Sequence, residues 1–181
     1  IDEWIDDNDT LQQENDGLNF LLSFLQTLWS PEGGWNADSG NILKQIIFDF
    51  VKSRKTCREK PIFNDLRTFI VSEIAPLFFS KRGYKCGDII VHRDRFDINA
   101  LALAMGDYAK GGSFGFLLND PNPRDLFSSR FTVFEVDKLA GIKDKKFYSL
   151  CILCIMNSFN AKMRNAPGMK VMVIEEAWKA I

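Results

Sequence analysis

Lys170-Val171-Met172-Val173-Ile174-Glu175-Glu176-Ala177-Trp178 sets a continuous apolar run directly against two carboxylates. A short apolar run without polar alternation is the pattern of a strand covered on both faces, as in a parallel sheet. A second run, Phe131-Thr132-Val133-Phe134-Glu135-Val136, is β-branched and aromatic and is followed by Asp137. Residues 147–164 between them are long enough for a helix, so the spacing predicts a right-handed parallel strand–helix–strand crossover. Such a crossover places Glu175 and Glu176 at the carboxyl edge of a sheet, where α/β proteins bind ligands. As a bare pattern, two Glu after a strand read equally well as the first solvated turn beyond it.

Upstream the periodicity changes to that of helices. Leu18, Leu21, Leu22, Leu25, Leu28 and Trp29 recur at helical spacing, and Pro31-Glu32-Gly33-Gly34 stops them. Asp38 or Ser39 is expected to cap a second helix with the stripe Ile42, Leu43, Ile46, Ile47, Phe50 and Val51. Pro61 suits the first turn of a third helix carrying Ile62, Phe63, Leu66, Phe69, Ile70 and Ile74, which Pro76 ends or kinks. Ile89-Ile90-Val91 reads as a short strand or a packed loop. Asp97 is an N-cap signal for a fourth helix through Ala109, with Ile98, Leu101, Met105 and Tyr108 inward and Gly111-Gly112 closing it. Asp120-Pro121-Asn122-Pro123 marks a loop. The expected organisation is an acidic entry at 1–17, a mostly helical part at 18–127 and an α/β part at 128–181.

The 181 residues are 46% hydrophobic and 13% aromatic, enough for a core and a smaller satellite. A formal net charge of -1 excludes a global basic field for wrapping nucleic acid. Acidic charge is concentrated at Asp2, Glu3, Asp6, Asp7, Asp9, Glu14 and Asp16, which reads as a solvated entry. Cys57, Cys86, Cys151 and Cys154 lack the spacing of a disulfide framework and point to a reducing cytoplasm. The longest strongly apolar stretch, 147–156, is half of what a bilayer span requires. Ile1 and Ile181 both look like cuts, so an internal fragment is expected, with a truncated sheet that leaves strand edges open.

Other candidates are weaker. Cys151-Ile152-Leu153-Cys154 has C-x-x-C spacing but apolar neighbours and no second pair for zinc, so buried structural thiols are expected. His92 is the only histidine, which excludes multi-histidine metal sites, and a solvated basic loop is its expected place. The clusters Lys52-Arg54-Lys55-Arg58-Lys60, Lys81-Arg82-Lys85 and His92-Arg93-Arg95 are candidates for DNA or an acidic partner. Without interleaved exposed aromatics they read more economically as solubilising loops. Arg130 is a candidate nucleotide contact, with a structural ion pair as the simpler role. Gly111-Gly112-Ser113-Phe114-Gly115 has no Lys in the place a phosphate-binding loop requires and follows a helix, so it reads as a cap and turn. No G-x-x-x-x-G-K-[ST] occurs in the sequence.

The segments Phe63-Asn64-Asp65-Leu66, Tyr108-Ala109-Lys110-Gly111-Gly112, Phe116-Leu117-Leu118-Asn119, Ser129 to Asp137 and Ile174 to Ile181 occur in order. Together they resemble the TraG-type ATPases of conjugative transposons, relatives of the cytoplasmic ATPase of type IV secretion systems. The resemblance implies a RecA-like P-loop NTPase core interrupted by a mostly helical insertion, with ATP and Mg²⁺ as the parent protein's ligands. It assigns Glu175 to the Mg²⁺-associated Walker B position and Glu176 to the catalytic, water-orienting one. Many P-loop ATPases have Asp where Glu175 stands. The family further implies self-association as a hexamer, secretion-channel partners and a cytoplasmic location at the inner membrane, with the fragment inactive by itself. The competing expectation is a non-enzymatic helical interaction module whose carboxylates are ordinary surface residues. A hydrolase using both Glu directly is disfavoured, because adjacent strand side chains point to opposite faces.

Overall fold

A computed structural model describes residues 16–31, 34–55, 60–122, 124–129, 131–136, 139, 142, 145–165, 167–169 and 171–173. It divides into two compact units, Ile1–Asn122 and Pro123–Ile181. The division falls inside the Asp120–Pro123 loop.

The first unit begins with α1 (Asp16–Leu28), whose Leu18, Leu22, Phe24, Leu25 and Leu28 are buried. Trp29 stays packed at its end, edge-on to Trp35 and Phe96. The second helix, α2 (Ala37–Arg54), is capped by neither expected residue. Asn36 is the N-cap, its side chain accepting from the Ser39 N–H at 2.8 Å. Asn offers the same short acceptor as Asp or Ser, so the cap lies two residues before the expected Asp38. The whole expected stripe of α2 is buried, with Leu43, Ile46 and Ile47 fully covered. Each such side chain contributes about 1.5–3 kcal/mol over its exposed state.

Helix α3 (Phe63–Phe69) starts two residues after Pro61, which therefore lies outside the first turn. Pro76 does not end the helical rod. A wide π-type turn at Ile70–Ile74 precedes α4 (Ala75–Phe79), and the Ala75 N–H reaches back five residues to the Ile70 carbonyl. Widening the turn before a proline relieves the clash its ring makes with the carbonyl four residues back. Ile89-Ile90-Val91 is a strand: β1 (Tyr84–Cys86) and β2 (Ile89–Val91) pair antiparallel, with Tyr84 opposite Val91. Asp97 caps α5 (Ile98–Ala104) as expected, accepting from Ala100 N–H at 2.9 Å, and a tighter 3₁₀ turn at Met105–Tyr108 follows. Ile98, Leu101, Met105 and Tyr108 are all buried.

The second unit is organised by α6 (Lys145–Asn165). Phe127 packs edge-on against Phe159 of this helix and against Phe134. Lys162 pairs with Asp125 at 2.9 Å, and its hydrogen bond holds the exposed Asp125 carboxyl below the usual range. The expected strand–helix–strand is realised only in its helix. Among the described residues, 131–136 and 171–173 join no ladder. Phe131 is 83% exposed and Val173 79%. Strand pattern alone does not make a strand: main-chain donors and acceptors stay with water until a neighbouring strand takes them.

Among the described residues, two polar contacts fasten the hairpin to α2, the weaker from the Cys86 thiol to the Asn41 carbonyl at 3.9 Å. Tyr84 donates its hydroxyl to Asp49 Oδ2 at 2.6 Å, and Gln45 donates to Asp49 Oδ1 at 2.9 Å. Burial, reinforced by the Asp49 carboxylate, raises the Tyr84 phenol well above its ordinary value. The folded state therefore keeps a proton that the unfolded chain releases. Its contribution is complete below the unfolded pKa of about 10 and is lost as pH rises above it. Urea unfolding from about pH 8 to about pH 11 should lose stability more steeply in the native sequence than in Tyr84→Phe. Equal slopes would remove this proton from the account.

Candidate functional site

The free N–H groups at the start of α3 are satisfied partly by a local side chain and partly from far along the chain. Ile62 N–H donates to Asp65 Oδ2 at 3.0 Å, and Phe63 N–H donates to the Leu118 carbonyl at 3.4 Å. Asn64 N–H donates to Asn119 Oδ1 at 2.8 Å. The Asn119 amide then spends both its hydrogens on carbonyls, Tyr108 O at 2.8 Å and Gly115 O at 2.7 Å. Asn64 Oδ1 accepts from Lys110 N–H at 3.2 Å. Two carboxamides thus tie the α3 N-terminus, the turn after α5 and the loop at 115–119 into one knot. Neither Asn64 nor Asn119 stands out in the sequence, because local pattern does not show which helix end a residue 55 positions away will cap.

The glycine-rich stretch lies inside this knot. Gly112 N–H donates to Ala109 O at 3.0 Å, Phe114 N–H to Asp107 O at 2.8 Å and Gly115 N–H to Gly112 O at 3.1 Å. A Cβ on Gly112 would overlap the carbonyl oxygens of Gly106 and Asp107, and one on Gly115 would overlap that of Ala109. These glycines let main chain approach main chain. Their N–H groups are spent on carbonyls, so the stretch does not fit a phosphate cradle, which needs them free.

The remaining candidates fall apart in space or outside the described residues. Glu175, Glu176, Arg130 and Cys57 lie outside the described residues. His92 is half-buried beside the hairpin. Cys151 and Cys154 share α6, where burial pushes the Cys154 thiol up to about 12, with Cys151 adding to it. That is the chemistry of an inert structural thiol. Among the described residues, no group of three His, Cys, Asp or Glu side chains could hold a metal ion, and no helix is long and apolar enough to cross a membrane. A cleft of about 720 Å³ opens between α2 and the hairpin, lined by Asn36, Asn41, Gln45, Phe48, Cys86 and Ile89. Its charged lining residues, Asp38, Lys44 and Arg95, are of mixed sign.

A family model described as the TraG P-loop domain matches residues 3–181, which is nearly the whole chain. The chain is therefore a P-loop NTPase by class, and it belongs to the TraG P-loop domain family. No curated protein and no solved structure matches it significantly. The match spans both units, so the helical unit is as much part of the family pattern as the carboxylates at the far end.

Two glycines separate structural need from tolerance. Gly40, in the first turns of α2, has open space where a Cβ would go, and Gly40→Ala should stabilise the chain by about 0.5–1 kcal/mol. Gly112→Ala should destabilise it by about 1–3 kcal/mol, because backbone must move. Urea midpoints report both, and a neutral Gly112→Ala would contradict the close approach.

Proposed function

We propose that the full protein hydrolyses ATP to power conjugative transfer through a type IV secretion channel, and that residues 1–181 supply its helical subdomain and Walker B edge. The observation that carries this reading is the family match over 3–181, which includes two adjacent carboxylates behind the apolar run Val171–Ile174. In this reading 131–136 and 171–174 are strands of a RecA-like sheet, and the exposed Phe131, Val133, Val171 and Val173 are side chains the rest of the sheet would cover. The sequence contains no phosphate-binding loop motif, and the described glycine turn does not fit that role. The loop is then supplied by sequence outside these residues, and residues 1–181 alone do not turn over ATP.

Glu175 and Glu176 are hard oxygen donors of the kind Mg²⁺ prefers. Glu175 would stand nearest the metal, and Glu176 would accept a hydrogen bond from the attacking water and orient it. The bound Mg·ATP supplies the reactive phosphoryl group and neutralises its charge. The wider proposal includes a hexameric motor on the cytoplasmic side of the inner membrane, in contact with secretion-channel proteins.

In a version of the protein that carries the phosphate-binding loop, Glu176→Gln should leave ATP binding intact and lower the hydrolysis rate by about a hundredfold or more. An unaltered rate would overturn the catalytic assignment. Nucleotide binding that stays absent after the loop is restored would favour the non-enzymatic interaction module.

A further inference from the structure

The β1–β2 hairpin presents apolar surface ringed by positive charge. Ile89 is 58% exposed, Ile90 56% and Phe79 of the adjoining α4 49%. Lys81, Arg82, Lys85, Arg93 and Arg95 are all exposed around them, against only Asp88 and Asp94 in residues 81–95. Among the described residues none of these five cations is in an ion pair. Arg93 lies over the Phe79 ring, 5.8 Å from its centroid. Among the described residues the sheet has two strands, and none of these residues adds a third to an outer edge.

The chain carries a stretch of opposite chemistry. Seven of its 24 carboxylates lie in residues 2–16, where there is no Lys or Arg, so the other 17 stand against all 23 basic residues. The same stretch holds Trp4, Ile5 and Leu11. Acidic side chains interleaved with a few apolar ones complement exposed isoleucines ringed by cations. Reach permits the contact. The far end of α1 packs Trp29 on Phe96, five residues after β2, and the 13 residues of α1 span about 20 Å. The 15 residues before Asp16 extend up to about 50 Å, enough to run back along α1.

We infer that the basic hairpin is the docking surface for the acidic stretch 2–16 of the same chain, charges meeting charges and Trp4 and Ile5 meeting Ile89 and Ile90. Tethering favours the same chain over a second copy, because a short linker gives a local concentration of about millimolar. Nucleic acid is the other polyanion such cations attract, but the only aromatic in the patch, Phe79, is already under Arg93, which leaves no free ring for a base.

Zero-length carbodiimide coupling of the full 181-residue chain tests this, using an equal mixture of unlabelled and ¹⁵N-labelled protein and mapping links by mass spectrometry. The expected result is amide links from carboxylates in 2–16 to Lys81 and Lys85, within single isotopic copies. Their yield should fall about tenfold at high salt, where screening shortens to a few ångströms. The same loss should follow Asp6→Asn, Asp7→Asn and Asp9→Asn together. The surface variant Arg82→Glu with Arg93→Glu should also lower the yield while leaving the far-UV circular dichroism of the folded chain unchanged. Links spread evenly over Lys44, Lys110 and Lys162 would overturn the assignment, and isotopically mixed links would give the surface to a neighbouring copy. Absence of links together with single-stranded DNA binding that Arg82→Glu removes would overturn it in favour of nucleic acid.

Discussion

The helical unit depends on how the first turn of α3 finds partners. A helix start leaves N–H groups that the helix itself cannot satisfy, and burying one unpaired costs about 1–3 kcal/mol. Here the partners are the Leu118 carbonyl and the Asn119 side chain, delivered by a loop that the chain reaches only after two more helices and a hairpin. The same Asn119 amide holds the carbonyls of Tyr108 and Gly115, so one side chain fixes three segments. Aromatic packing continues from that point, with Tyr108 against Phe24 and Phe24 against Phe63. Local capping and the long-range core are in this way the same structure.

Much of this was legible in the sequence where periodicity is strong. The stripe from Ile42 to Val51 in α2 and the inward set Ile98, Leu101, Met105 and Tyr108 are where spacing predicts them, because a 3.6-residue period leaves a buried face little freedom. The caps were partly legible: Asp97 is used and Asp38 is not, since Asn36 offers an equivalent acceptor two residues earlier. The hairpin was ambiguous because two three-residue strands carry too little pattern, and its fastening by Tyr84 to Asp49 spans 35 positions. The glycine turn was read as cap and turn, and the structure adds the carbonyl contacts that exclude any side chain there.

The second unit shows the limit of local reading from the other side. Residues 131–136 and 171–173 have strand composition, yet composition supplies only a preference, and pairing requires a neighbour. The helix between them needs no such neighbour, because its hydrogen bonds are internal, and α6 forms. Glu175 and Glu176 lie just beyond this run and outside the described residues, so the roles proposed for them rest on the sequence motif and the family resemblance.

The central physical claim is that the segments around Asn64, Gly112 and Asn119 act together as a structural knot. A urea-unfolding cycle on Asn64→Ala, Asn119→Ala and the double variant tests it most directly. Each single change should cost about 1–3 kcal/mol, and the double should differ from their sum by more than about 0.5 kcal/mol, because both side chains hold the same turn. Unchanged stability in Asn119→Ala, or strict additivity in the double, would contradict it.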